Sequence, residues 1–474
     1  MAAAATIDRR PLMPTRTASR WALVGVGCLV LAVVSLLFGR QPTYDPTAWL
    51  IWGHQIVHGD LFTRFGPSWK PLPILITAPT ALLGDTAQQQ IWLVVARAGA
   101  LAALALTYRL AWRLEGPVAG VIAAVALLCS SGYATRTFRG DSEGLLVAIA
   151  FGAVEAHLRG RRWLTFGLIV AATLMRPELF VFAVGYGLWL VWVVPTAAPR
   201  RRTLAIVTAA GVLVVAAWLI PEEIGSGELF RAASRALLPV AGSPATADFP
   251  FLATFTNAAA ALPWPLYAAG LWYVLAAIVA VRRRRTDGSA RLALALAAIA
   301  TATMVLIALM AQAGFTGNIR YLTIPIGLTG IVGGAGLVRL GKLAWARLGP
   351  RWGVVAIVLG ASVVAPFAAH AVVRTRDEVR SGQRETALYA ALPEAIARAG
   401  GRAAVLRCGS PITLDLDVQA VVRDLGVRQV RGAKFALVPG TIVARRGSPL
   451  ARDPRFPHRR AITPLWVITS SCAR

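Results

Sequence analysis

Acidic residues are scarce in this chain: 22 Asp and Glu face 49 Lys and Arg, for a formal net charge of +27. Lysine is scarcer still, found only at Lys70, Lys342 and Lys434, which reads as a coding bias toward arginine and alanine rather than as chemistry. Charged residues make up only 15% of the 474 residues against 57% hydrophobic, with a mean hydropathy of +0.61. That balance excludes an ordinary soluble globular protein. It also removes nucleic acid as the reading of the positive charge, because the arginines sit in short runs between apolar segments, as the positive-inside rule requires of a membrane protein. The four cysteines are too few for a disulfide scaffold. Cys28 and Cys129 fall in apolar runs and read as core residues, whereas Cys408 and Cys472 lie in the polar C-terminal region and are either one disulfide or two thiols. No P-loop, no Gly-rich nucleotide loop and no G-x-S-x-G elbow is present, so a cytoplasmic nucleotide donor is unsupported. Short-period repeats are missing too, although an inverted repeat of the transporter kind stays open.

What the chain has in quantity is apolar runs of roughly 15 to 22 residues, and a span needs about 20 because the hydrocarbon core is about 30 Å thick. Arg9, Arg10, Arg16 and Arg20 precede the run Trp21–Phe38, which predicts a cytoplasmic tail over 1–20 and an uncleaved first span. A loop over 40–90 follows outside. Asp45-Pro46 is expected to cap and open a short helix over 46–58 that ends at Gly59, with Trp49, Trp52 and Ile56 on one face. Ile74–Leu83, interrupted by Pro79, is too short to cross and reads as a second juxtamembrane helix. Further spans are expected at about 91–112, 117–133 and 144–158. The stretch 163–194 has arginines on both flanks, so it should cross twice with a turn near Arg176-Pro177-Glu178; one long tilted helix is the alternative and would invert everything downstream. Spans at about 203–220, 265–281, 291–312, 321–338 and 353–372 bring the count to about eleven, with an outer loop over 221–263. Residues 373–474 carry 18 basic and 8 acidic side chains and read as a small extracytoplasmic α/β domain, with a helix over Glu385–Ala399 despite Pro393 and strands at Ala403–Leu406, Phe435–Val438 and Leu465–Thr469. Its basic surface suits anionic headgroups or acidic wall polymers, or is merely a soluble, arginine-biased cap. The fold class is therefore a mainly α, polytopic helical protein of 21–372 with this domain appended, in the plasma (inner) membrane.

Ionisable groups near a bilayer are costly and are functional candidates for that reason. Asp45 is either a helix cap or a general base for a hydroxyl. Lys70, in Trp69-Lys70-Pro71-Leu72-Pro73, either snorkels to headgroups or neutralises phosphate oxygens. Asp141 and Glu143 open a helix as a solvated acid pair, or they bind acceptor hydroxyls or a divalent cation. Arg176 and Glu178 share the same side. Arg320-Tyr321 starts a span where interfacial tyrosine is ordinary, or offers a guanidinium to a phosphate. His54 and His58 have the i, i+4 spacing of metal ligands, but no third ligand is fixed by sequence, so no metal site is assigned.

An acid just after the first span, Lys70-Pro71-Leu72-Pro73 entering a juxtamembrane helix, an acid opening the fourth span, and Arg320-Tyr321-Leu322-Thr323-Ile324-Pro325 together resemble the GT-C superfamily of polytopic glycosyltransferases, over about residues 20–340. The likeness is to the branch with protein mannosyltransferases, aminoarabinose transferases and arabinofuranosyltransferases. The resemblance implies transfer of a sugar from a polyprenyl-phosphate donor, commonly with inversion, to a glycan, lipid or protein acceptor outside the cytoplasm. It implies Asp45 as base, Asp141 as second acid, and Lys70 and Arg320 near the lipid phosphate, with Tyr321 beside them. The chain departs from the family in having one acid where several members have a pair, and Lys-Pro-Leu-Pro where many have Lys-Pro-Pro-Leu. A transporter or flippase of lipid-linked glycans is the rival function, and a scaffold that binds wall polymer is the third.

Overall fold

The apolar runs fold as helices in the computed structural model, which describes residues 16–194, 196–238, 242–283, 288–432 and 436–473, those at 16–20 by backbone alone. The first helix, α1 (Arg16–Val34), continues as a 3-10 turn to Phe38. Two short helices follow, α2 (Tyr44–His58) and α3 (Pro71–Ala81), then the long α4 (Asp85–Glu115). Next come α5 (Pro117–Leu128), α6 (Tyr133–Arg139), α7 (Glu143–Leu158), α8 (Arg162–Thr173) and α9 (Phe180–Val193). The bundle is completed by α10 (Ala197–Ser226), α11 (Arg231–Ala236), α12 (Pro250–Ala259), α13 (Trp264–Arg282), α14 (Gly288–Gln312) and α15 (Thr323–Ala390).

Six helical segments of the described residues are long and apolar enough to cross a membrane, and α5 with α6, bent by 65° at their break, pass the same test only when taken together as one broken span. Their outward faces are lipid-like: α1 exposes Leu23, Leu29 and Val30, and α10 exposes Val212 and Leu213. This is a multi-pass membrane protein. The stretch 163–194, expected to cross twice, folds as α8 and α9, two short apolar helices joined by a 3-10 turn at Pro177–Leu179. Gly349 (φ 71°, ψ 175°) interrupts α15. Pro350 then restarts the helix from a position that needs no N–H, so α15 is two helices end to end. The second runs past residues 372–373 without a break.

Small residues bring the bundle together. A Cβ on Gly333 or Gly336 would collide with the carbonyl oxygens of Leu266 and Ala269 in α13, so glycine there lets α13 and α15 pack backbone to backbone. Gly99 and Gly144 do the same between α4 and α7, against Leu145 and Ala100. The resulting core joins Leu110, Val147, Phe151, Leu296 and Ile331.

After α15 come α16 (Leu392–Arg398), α17 (Gly401–Leu406) and α18 (Val418–Leu425). They pack on a sheet of β1 (Pro411–Thr413), β2 (Arg431–Gly432), β3 (Thr441–Arg445), β4 (His458–Ile462) and β5 (Trp466–Ser470). Its order is β2-β1-β3-β5-β4, parallel among β2, β1 and β3 and antiparallel across β3-β5-β4. Trp466 is fully buried, and its Nε1 donates to the Leu388 carbonyl (2.8 Å), which ties the sheet to the end of α15. Cys408 and Cys472 form a disulfide.

Three local expectations are corrected here. Ala403–Leu406 is helical, because Gly400 and Gly401 (φ 95° and 83°) start a fresh turn and alanine prefers helix to strand. Residue 435 lies outside the described residues, and 436–438 do not join the sheet, since Pro439 has no N–H to extend a ladder. Glu385–Ala399 is not one helix: it breaks at Ala391, and Pro393 takes a first-turn position of α16. The strand at 465–469 is present as β5.

Candidate active site

Asp45 enters the site from the start of α2, but not as its cap. Thr43 holds the N-cap position, without a side-chain cap bond, and Asp45 lies inside the helix. Its carboxylate turns instead to Arg320, whose Nη1 donates to Oδ2 at 2.6 Å. The capping reading of Asp45 is therefore replaced by a charge-assisted hydrogen bond to a residue 275 positions away. The helix that carries it is rigid. Trp49 packs edge-on against Trp92 at 5.2 Å, Trp52 tilts on Trp69 at 5.6 Å, and Gly53 allows Thr77 to donate to the Trp49 carbonyl at 2.8 Å. Gly59 (φ 71°) ends it in the left-handed region, as expected.

Two cations reach the same place by one device. Lys70 (φ −142°, ψ 109°) and Arg176 (φ −144°, ψ 105°) are both extended residues directly before a proline that opens a helical turn. Proline forces that geometry on its predecessor. Lys70 Nζ donates to Ser142 Oγ at 3.3 Å, sits 4.0 Å from Glu143 Oε1 and lies 4.9 Å over the Trp49 ring. Arg176 Nη2 donates to Glu143 Oε1 at 2.9 Å, Arg176 lies 4.0 Å from Glu178, and its guanidinium is 3.9 Å from the centre of the Tyr321 ring. Arg320 flanks the same ring at 5.5 Å, and Asn318 Oδ1 accepts from its backbone N–H, holding the turn before α15. Burial pushes the Lys70 ammonium below its ordinary pKa, with Glu143 pulling the other way.

Asp45, Lys70, Arg176, Glu178, Arg320 and Tyr321 line one cavity of about 410 Å³. Its far wall is apolar and comes from Trp218 and Leu219 of α10 and from Phe230, Ala233 and Leu237 in and around α11. The buried polar atoms of the cluster without a hydrogen-bond partner among the described residues include Glu143 Oε2 and Arg320 Nε. Glu143 is buried beneath Lys70 and Arg176 rather than in the cavity wall. Asp141, in the loop between α6 and α7, also stands off the wall; burial, then Glu143 and Asp45, push its carboxyl up to about 8. The shift favours its protonated form, which can donate a hydrogen bond. His54 and His58 stack on each other at 4.2 Å on α2, away from the cavity, with Asp85 3.7 Å from His54. Among the described residues no group of three or more His, Cys, Asp or Glu is placed to hold a metal ion.

Sequence reasoning missed the wall that α10 and α11 supply, having treated 221–263 as an outer loop. What holds that loop inward is Glu222, fully buried, which accepts from Thr63 Oγ1 at 2.8 Å and from Arg231 Nη1 at 3.2 Å. A pair of acids directly after an apolar run was the available signal. Ser142 was missed as well, since nothing local marks a serine as a lysine's acceptor.

No known family profile matches the sequence, and no curated protein matches it. Solved structures do. ArnT from Cupriavidus metallidurans in the apo state superposes with a TM-score of 0.55 at 16% identity, over 96% of this chain and 99% of that one. The chain shares its fold with this ArnT. The same ArnT bound to undecaprenyl phosphate gives 0.53 over the same shares of the two chains, again at 16% identity. The archaeal oligosaccharyltransferase AglB from Archaeoglobus fulgidus, in complex with an inhibitory peptide and a dolichol-phosphate, gives 0.49 at 12% identity over 89% of this chain and 69% of that one.

Proposed function

We propose that this protein is an integral-membrane glycosyltransferase that moves a sugar from a polyprenyl-phosphate donor to an acceptor outside the cytoplasm, in cell-envelope glycan assembly. The observation that carries the proposal is the cavity itself: two carboxylates, Asp45 and Glu178, and three cations converge where an apolar wall also reaches. A lipid phosphate needs both surfaces at once. The undecaprenyl phosphate bound to ArnT, a protein of the same fold, supports the choice of lipid.

In this reading Lys70 and Arg320 hold the donor phosphate, and Arg320 Nε and Lys70 Nζ offer donors for its oxygens. Arg176 is tied to Glu143 and packs over the Tyr321 ring. Asp45 takes the proton from the acceptor hydroxyl. The acceptor oxygen then forms its bond to the sugar's anomeric carbon as the bond from that carbon to the phosphate oxygen breaks, and the electron pair leaves with the polyprenyl phosphate. A single displacement of this kind inverts the anomeric centre. Polyprenyl phosphate is already a good leaving group, so the protein's work is alignment and charge stabilisation. Asp141 stands off the cavity wall, so it acts on the site through its neighbours Glu143 and Asp45 rather than as a second base on the substrate.

For orientation, we read α1, α4, α5 with α6, α7, α8, α9, α10, α13, α14 and the two halves of α15 as crossings, with α7, α8 and α9 as short spans, which makes about eleven. The carboxylates Glu155 and Glu115 are surrounded by Arg109, Arg113 and Arg159 and by Arg339 and Lys342 at the end of the bundle away from Asp45. The positive-inside rule assigns that end to the cytoplasm. The N-terminus then lies inside, and the C-terminal domain, with its disulfide, lies in an oxidising compartment. The test is transfer of label from a polyprenyl-phosphate sugar into an envelope fraction by membranes containing the protein. Membranes that bind the lipid yet catalyse no transfer would reject the enzyme reading in favour of carriage.

A further inference from the structure

At the ends of α8, α9 and α10 remote from the active-site cavity lies a second crevice, of about 910 Å³. Arg161, Arg162 and Arg202 line it together with Trp163, over walls that include Leu190 and Ile206. Among the described residues, no acidic one lines it. That sets it apart from the neighbouring cluster at this end, where Arg109, Arg113, Arg159 and Arg339 share Glu155 or Glu115. The indoles of Trp163 and Trp192 are 50% and 77% exposed, and exposed tryptophans of this kind mark the headgroup level of a bilayer.

We infer that this crevice binds an anionic phospholipid of the surrounding leaflet, its phosphodiester among Arg161, Arg162 and Arg202 and an acyl chain against the aliphatic wall. Guanidiniums without acid partners suit a phosphate, basic pockets between membrane helices suit anionic headgroups, and the apolar walls suit a lipid rather than free phosphate. The crevice spans three helices whose other ends shape the active-site cavity: α8 leads to Arg176, α9 follows Glu178, and α10 carries Trp218. A headgroup cross-linking them at one end fixes their spacing at the other. This inference stands whether or not the chain transfers sugar.

The experiment is native mass spectrometry of the full chain released from mixed phosphatidylglycerol and phosphatidylcholine vesicles, with thermal unfolding in each lipid alongside. Each arginine near an anionic surface adds to binding, so wild type should retain phosphatidylglycerol over phosphatidylcholine by on the order of tenfold or more. The triple substitution Arg161→Gln, Arg162→Gln, Arg202→Gln should lose that preference and the accompanying rise in Tm. An equal loss of charge elsewhere, Arg282→Gln, Arg347→Gln, Arg351→Gln, should leave both in place. Equal responses from the two triple variants, or no preference in wild type, would overturn the site.

Discussion

The site residues are held in ways that make their roles separable. Arg320 and Lys70 each present donors to the cavity, so Arg320→Ala or Lys70→Ala should weaken binding of undecaprenyl phosphate by about tenfold or more, as expected of a lost charged hydrogen bond. Equilibrium binding in detergent checks this, and unchanged affinity in both would remove them from the phosphate. Asp141 offers a pH signature. Its carboxyl ionises near 3.8 in an unstructured chain and near 8 here, so between those values the folded protein holds a proton that the unfolded chain has released. Stability should therefore fall as pH rises from about 4 to about 8 and level off above. Asp141→Asn lacks that slope, and its Tm advantage over wild type should widen toward the alkaline end. Parallel Tm curves for the two proteins would contradict the raised carboxyl pKa.

Among the helices, close backbone approach is what places α15, and with it Arg320, against the rest of the bundle. Gly336→Val would force α13 and α15 apart where a Cβ already meets the Ala269 carbonyl. It should cost about 1–3 kcal/mol of stability, read as a lowered Tm in detergent. The same substitution at Gly360, where a Cβ meets nothing, should change little. The helices themselves were legible in the sequence because the apolar runs and the arginine runs have lengths set by the bilayer, and the Arg176-Pro177-Glu178 turn was legible because proline constrains the residue before it. Asp45's partner was not. A carboxylate near a helix start looks like a cap by local rules, and only a contact between residues 45 and 320 draws it away. The short strands failed for a related reason: Ala403–Leu406 is apolar enough for either state, and the glycines before it decided the matter.

The two parts of the molecule are stitched together beside the site. Glu378 accepts from the Gly132 N–H at 2.8 Å and Glu385 pairs with Arg139 at 2.5 Å, so the second half of α15 grips α6, the helix that leads to Asp141. Arg423 of α18 donates to Gln89 and Gln41 at 2.7 and 3.1 Å. The disulfide closes a separation of 64 residues. Its removal by Cys408→Ser should destabilise the C-terminal domain by about 2–5 kcal/mol, seen as earlier proteolysis of that domain with the helical bundle intact. The central claim, however, concerns the cavity and the proton that must leave the acceptor there. The most direct measurement is the rate of labelled-sugar transfer from a polyprenyl-phosphate donor by Asp45→Asn, with donor binding measured on the same preparation. The account predicts that binding survives while the turnover rate falls by at least about a hundredfold, the low end of what general-base catalysis supplies; transfer at the wild-type rate would contradict it.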